Sequence, residues 1–105
     1  VLATPLEKLI CAKAWNCNIA LAIAKAESGL RCDAVGDGHI AFTKDTIEYG
    51  KSYGVFQIRY LVGRPNPSQL LNCEFNINYA YGLYQAHGWH PWSVYKSGAY
   101  RKFLQ

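Results

Sequence analysis

Four cysteines in a chain of 105 residues constrain this protein more than any other feature of its sequence. They stand at Cys11, Cys17, Cys32 and Cys73, with no Cys-x-x-Cys pair, and His39, His87 and His90 complete no zinc-like spacing around them. No metal and no cofactor is therefore expected. An even count in a small chain reads as two disulfides made in an oxidising compartment outside the cytosol; four buried free thiols are the alternative. Four cysteines allow three pairings, and the count selects none. A core of this size leaves a thin stability margin that cross-links would supplement, and residues 1–105 are expected to form a single domain, predicted to be monomeric.

The charge balance excludes some partners. Eleven Lys and Arg against seven Asp and Glu give a net charge of +4, which suits an anionic polymer. The cations are scattered and form no stripe, so no nucleic-acid interface is expected. No apolar stretch approaches the roughly 20 residues of a membrane span. The chain starts at Val1 without a charged-then-apolar leader, which leaves open an upstream signal or neighbouring domain that has been cut away. Eight tyrosines and three tryptophans supply rings that can pack on sugar faces, although most are expected in the core.

Local patterns predict a mainly helical chain. Thr4-Pro5-Leu6-Glu7 carries a cap, a proline at the first helical position and a glutamate three residues on, so a helix should run from there to about Trp15. Asn16-Cys17-Asn18 offers turn and cap chemistry, which would let Cys11 and Cys17 meet across a tight helix-to-helix turn. Ile19 to Glu27 reads as an alanine-rich second helix ended by Gly29. Gly36-Asp37-Gly38 is turn chemistry; His39–Phe42 and Thr46–Tyr49 read as extended segments of a small hairpin joined by Thr43-Lys44-Asp45. Gly54 to Ile58 is an apolar run holding one amide, and periodicity leaves it strand or helix start. A loop over Gly63–Ser68 leads to a helix from about Glu74 to His87, with Ile77, Ala80, Tyr81 and Tyr84 on one face and Gly88 at its end. The tail from Trp89 to Gln105 should be loop with at most one short helix.

Within the second helix Ile19, Ile23 and Glu27 are spaced by four, so the carboxylate continues an isoleucine stripe. A carboxyl beside apolar groups is partly desolvated and keeps its proton to higher pH, as a general acid requires. The plain alternative is a surface glutamate near a helix end.

Four segments in order carry a resemblance. Ala24-Lys25-Ala26-Glu27-Ser28-Gly29 looks like the Glu-Ser signature of the soluble lytic transglycosylase and goose-type lysozyme-like family, and Gly50-Lys51-Ser52-Tyr53-Gly54-Val55-Phe56-Gln57-Ile58 resembles its Ser-x-Gly-x-x-Gln-Ile motif. Asn76-Ile77 with Ala80 and Leu83 is similar to the helix that packs behind the glutamate, and Trp92-Ser93-Val94-Tyr95-Lys96-Ser97-Gly98 resembles a variant of the Ala-Tyr-Asn-Ala-Gly segment. The likeness spans about residues 5 to 100 and is closest to short, phage-like domains. Phe56 stands where many members have methionine, Lys96 replaces an asparagine, and the segment His39–Tyr49 lengthens the link between the first two motifs. Cys32 and Cys73 both lie where the family often has proline, and that joint replacement pairs them, leaving Cys11 with Cys17.

The resemblance implies a mainly α, α+β lysozyme-like fold: a small helical domain with a short β-hairpin and a substrate cleft. It implies a peptidoglycan-cleaving enzyme, secreted, periplasmic or wall-associated, whose partner is the glycan strand. Glu27 would be the catalytic acid, with Ser52 and Gln57 on an acetamido group and Tyr95 near the anomeric centre. The bond following N-acetylmuramic acid would be cut by a lytic transglycosylase mechanism that leaves a 1,6-anhydro end. The closest alternative is an inverting lysozyme in which Asp33, Asp37, Asp45 or Glu48 activates water. A non-catalytic wall-binding module is a third reading. For each residue a plainer role exists: Gln57 satisfying backbone groups, Ser52 shaping a turn, Tyr95 packed as an aromatic.

Overall fold

A computed structural model of the chain describes residues 3–105; Val1, at the head of the sequence, lies outside them. About half of the chain is helical, and a small antiparallel sheet and a hairpin follow the second helix.

Helix α1 (Pro5–Cys11) starts at a capping box in which Thr4 Oγ1 accepts from Glu7 N–H and the Glu7 carboxylate accepts from Thr4 N–H. It ends well before Trp15. The indole of Trp15 donates to the Ile10 carbonyl at 2.7 Å, taking an acceptor that a continuing helix would use, and the Cys11–Cys17 disulfide folds the chain back. Helix α2 (Cys17–Ser28) is capped by Asn16 and ended by Gly29 at φ 66°, a left-handed geometry that glycine adopts without steric cost. Its small buried face, Ala20, Ala22, Ile23 and Ala24, lets neighbours approach closely.

Strands β1 (Val35–Gly36), β4 (Ser52–Tyr53) and β5 (Ile58–Arg59) form a three-stranded antiparallel sheet in the order β1-β4-β5, with Gly36 opposite Ser52 and Ser52 opposite Arg59. Strands β2 (Phe42–Lys44) and β3 (Ile47–Tyr49) form a separate hairpin. The hairpin is shifted from its expected place: Gly38–Ile40 makes a 3₁₀ turn instead of a strand, and the reversal falls at Asp45 and Thr46, both with positive φ. The run Gly54–Gln57 is neither strand nor helix; it is a tight turn joining β4 to β5.

Helix α3 (Pro67–Leu70) grows out of the expected loop, because Asn66 and Gln69 make a second capping box and Pro67 suits the first helical position. Helix α4 (Cys73–His87) buries Asn76, Ile77 and Ala80. The tail is more ordered than its proline and glycine suggested: α5 (Ser93–Ser97) and a 3₁₀ turn over Ala99–Phe103 follow one another. Trp92 anchors them, 2 % exposed. The core gathers Ile10, Ile23, Phe56, Leu70 and Ile77 around an aromatic cluster in which Trp15 meets Phe56, Tyr81, Tyr84 and Trp89.

The second disulfide joins Cys32 to Cys73 across a sequence separation of 41 and ties the segment after α2 to the start of α4. Closing a loop of that length removes denatured-state entropy worth about 4 kcal/mol on the chain-entropy model. Both cross-links therefore bear on helices that frame the site described next.

Candidate active site

Glu27 sits in the last turn of α2, one turn beyond the fully buried Ile23, and faces a cleft of about 260 Å³. Asp37, Ser52, Gln57, Arg59 and Arg64 line the same cleft, and Leu83 and Trp92 contribute apolar wall. Burial pushes the Glu27 carboxyl up to about 7, and the negative charge of Asp37 adds to the effect. At neutral pH a large share of Glu27 is therefore protonated.

The second carboxylate enters through backbone geometry. Asp37 has φ 59° at the end of β1, which turns its side chain toward β4, where Ser52 Oγ donates to it at 2.5 Å. That bond uses the only proton of the Ser52 hydroxyl, so Ser52, 2 % exposed, positions Asp37 and keeps only acceptor capacity for a ligand.

Gln57 also has left-handed backbone, φ 49°. Its amide nitrogen donates to the Ala34 and Gly54 carbonyls at 3.1 and 3.0 Å, so both of its protons are committed to the backbone. Its Oε1 lies in the space that a side chain on Gly36 would fill. Gln57 can accept from a ligand but has no proton left to donate.

Behind these groups stands a polar clamp. Asn76, fully buried, accepts from Phe56 N–H and donates to the Tyr53 and Leu70 carbonyls, all at 2.9 Å. The Trp92 indole donates to the Phe56 carbonyl at 3.0 Å. Ser28 Oγ lies 2.7 Å from the Val55 carbonyl and links the end of α2, next to Glu27, to the same turn. Gly54, at φ 81°, lies so close to Asn76 and the Leu70 carbonyl that no Cβ fits. Among the described residues no buried side-chain polar atom lacks a partner, and the glutamate rests beside a densely bonded turn.

A family model described as lysozyme-like domain matches residues 10–94. The chain belongs to the lysozyme-like domain family. No curated protein and no solved structure matches it. Membership supports, at the coarse level, an enzyme of glycosidase or transglycosylase type acting on peptidoglycan.

Of the residues singled out from the sequence of this lysozyme-like domain, the structure brings Glu27, Ser52 and Gln57 to one cleft. Tyr95 is not part of the cleft lining. Its ring stacks on Tyr100, centroids 5.0 Å apart, and leans toward Trp89 at 6.4 Å. The turn at Gly98, φ 84°, brings the following 3₁₀ segment back toward α5 and gives Tyr95 the Tyr100 ring as an aromatic partner. Among the four later acids, Asp37 reaches the cleft and Asp33, Asp45 and Glu48 do not line it. Arg59, Arg64 and Trp92 were not singled out as cleft residues. The signal for Asp37 was present in its Gly-Asp-Gly setting; nothing local marked the two arginines, which meet only through folding. Among the described residues no cluster of three or more His, Cys, Asp or Glu side chains could hold a metal ion.

Proposed function

We propose that this single domain, acting as a monomer outside the cytosol, cleaves the β-1,4 bond between N-acetylmuramic acid and N-acetylglucosamine in peptidoglycan with Glu27 as general acid. One observation carries the reading: a half-dry carboxyl, protonated to about pH 7, faces a cleft in a chain of the lysozyme-like family. Glu27 gives its proton to the glycosidic oxygen as the bond to the anomeric carbon breaks. In the transglycosylase course the acetamido oxygen of the muramoyl unit supports the anomeric carbon. Ionised Glu27 then takes the proton of the 6-hydroxyl, whose oxygen closes the 1,6-anhydro ring. Gln57 Oε1 is an acceptor suited to the acetamido N–H. No water is consumed.

A second reading is favoured by Asp37. Its carboxylate lines the same cleft and is held by Ser52, which supports a course in which Asp37 takes a proton from an attacking water, giving inverting hydrolysis. The two courses separate by mass, because an anhydro end is lighter than a reducing end by one water. Mass spectrometry of peptidoglycan digests is the deciding measurement. Anhydro-muramoyl ends support the first course, and reducing ends abolished in Asp37→Asn support the second. Sacculi that bind the protein yet keep their turbidity, with Glu27→Gln indistinguishable from wild type, would leave only a wall-binding module.

The two disulfides fit an oxidising compartment, and among the described residues no helix is long and apolar enough to cross a membrane. A secreted, periplasmic or wall-associated location follows from the same reading.

A further inference from the structure

Two guanidinium groups in the cleft have no acidic partner. Arg59 Nε donates to the Gly50 carbonyl at 2.9 Å and its Nη2 to the Ile40 carbonyl at 3.5 Å, and Arg64 Nη1 donates to the Arg59 carbonyl at 3.3 Å. These bonds orient both side chains through backbone acceptors and leave most of their N–H groups free. Among the described residues the ion pairs are Arg31–Asp33 and Lys51–Glu48, and neither cleft arginine takes part in one. Glu27 and Asp37 line the same cleft without pairing to them. Both arginines are half-buried, and the backbone carrying Arg64 is set by the turn Leu61–Arg64 and by Pro65 behind it. Two pre-oriented planar cations on the wall of a glycan cleft match a carboxylate better than a neutral sugar.

We infer that Arg59 and Arg64 form a carboxylate-binding subsite that makes the enzyme selective for muramic acid units carrying an ionised carboxylate. This rests on the glycan-cleaving reading above. Muramic acid differs from its partner sugar by a lactyl ether. The lactyl carboxyl is ionised where the stem peptide has been removed and amide-bonded where the peptide remains, in which case the peptide brings carboxylates of its own. The shared chemistry is the carboxylate, and the experiment distinguishes its two sources.

Three substrates are compared at one ionic strength: glycan strands stripped of peptide by an amidase, the same strands with lactyl carboxyls converted to methylamides, and uncross-linked strands retaining their peptides. Wild type is expected to cleave the stripped, ionised strands about tenfold more efficiently than their methylamides, chiefly through KM, because a charge-assisted hydrogen bond is lost. Arg64→Gln should erase that difference, and Arg64→Lys should restore part of it. Arg59→Lys keeps a cation and should leave much of the preference. Peptide-bearing strands preferred over their own methylamides would place the carboxylate on the peptide; preference confined to stripped strands would place it on the lactyl group. Equal efficiency of wild type on ionised and amidated forms of both strand types, or an equal loss on ionised and amidated forms in Arg64→Gln, overturns the inference. Sedimentation of the same strands with Glu27→Gln, alone and combined with Arg64→Gln, tests the subsite without catalysis. Retention lost only in the double variant upholds it even if no strand is cleaved.

Discussion

The turn Gly54–Gln57 and the turn Asp45–Thr46 lie close in sequence and are built on opposite terms. In the first, Val55 and Phe56 are fully buried and Asn76, Ser28, Trp92 and the Gln57 amide bond its backbone from four sides. In the second, both residues are exposed, and the hairpin above it leaves Phe42 and Ile47 more than 40 % accessible. The hairpin holds itself together with a Phe42–Tyr49 stack, continued by Tyr49 against Tyr60, and a Lys51–Glu48 ion pair at its base. Both turns use left-handed non-glycine residues, so strained backbone alone does not mark the site. What separates them is the density of bonds that hold the strain in place, and the catalytic candidate stands beside the denser one.

The largest expected effect sharpens the functional side of that contrast. Glu27→Gln should lower lytic activity at least about a hundredfold, the scale of a lost general acid, while its circular dichroism and its binding to sacculi remain. Next comes Asn76→Ala, which removes the acceptor of the buried Phe56 N–H and the amide that donates to the Tyr53 and Leu70 carbonyls. A loss of about 3 to 5 kcal/mol is expected, measured by urea unfolding with disulfides intact. An effect below about 1 kcal/mol would break the comparison by showing that the clamp does not hold the turn.

A smaller effect follows from pH. Because Glu27 titrates near 7 in the folded chain and near 4.5 unfolded, the folded state binds more protons between those values. Stability is therefore expected to fall as pH rises through that window, by roughly 2 kcal/mol once partial exposure is allowed for. Glu27→Gln should flatten that portion of the profile of unfolding free energy, and kcat/KM of wild type should decline above about pH 7 as the acid loses its proton. The smallest effect is expected at Ile47→Thr in the hairpin, about 0.5 kcal/mol or less with lytic activity unchanged. A loss comparable to Asn76→Ala would mean that the hairpin is part of the rigid frame.

Much of the frame could be read from residues alone. The capping box at Thr4, the glycine stop at Gly29 and the period of Ile19, Ile23 and Glu27 act within a few residues, and each is found where expected. The end of α1, the place of the hairpin reversal and the helical tail escaped, because the Trp15 indole turning back onto Ile10, a two-residue left-handed turn and the seat of Trp92 decided them. Tyr95 had a motif to recommend it, yet a ring three-dimensionally adjacent, Tyr100, takes its face.

By itself the sequence determined that α1, α2 and α4 form, the half-apolar setting of Glu27 and the wealth of cysteine that the fold turns into two cross-links. Those outcomes depend on caps, periodicity and composition, which are local. Only the tertiary structure decided that Asp37 shares the cleft with Glu27, that Ser52 and Gln57 have given their protons to other groups, and that two arginines face the same space unpaired. Those outcomes depend on where side chains far apart in the chain finish relative to one another, and a hydrogen bond or a field between charges exists only at the distances that folding sets.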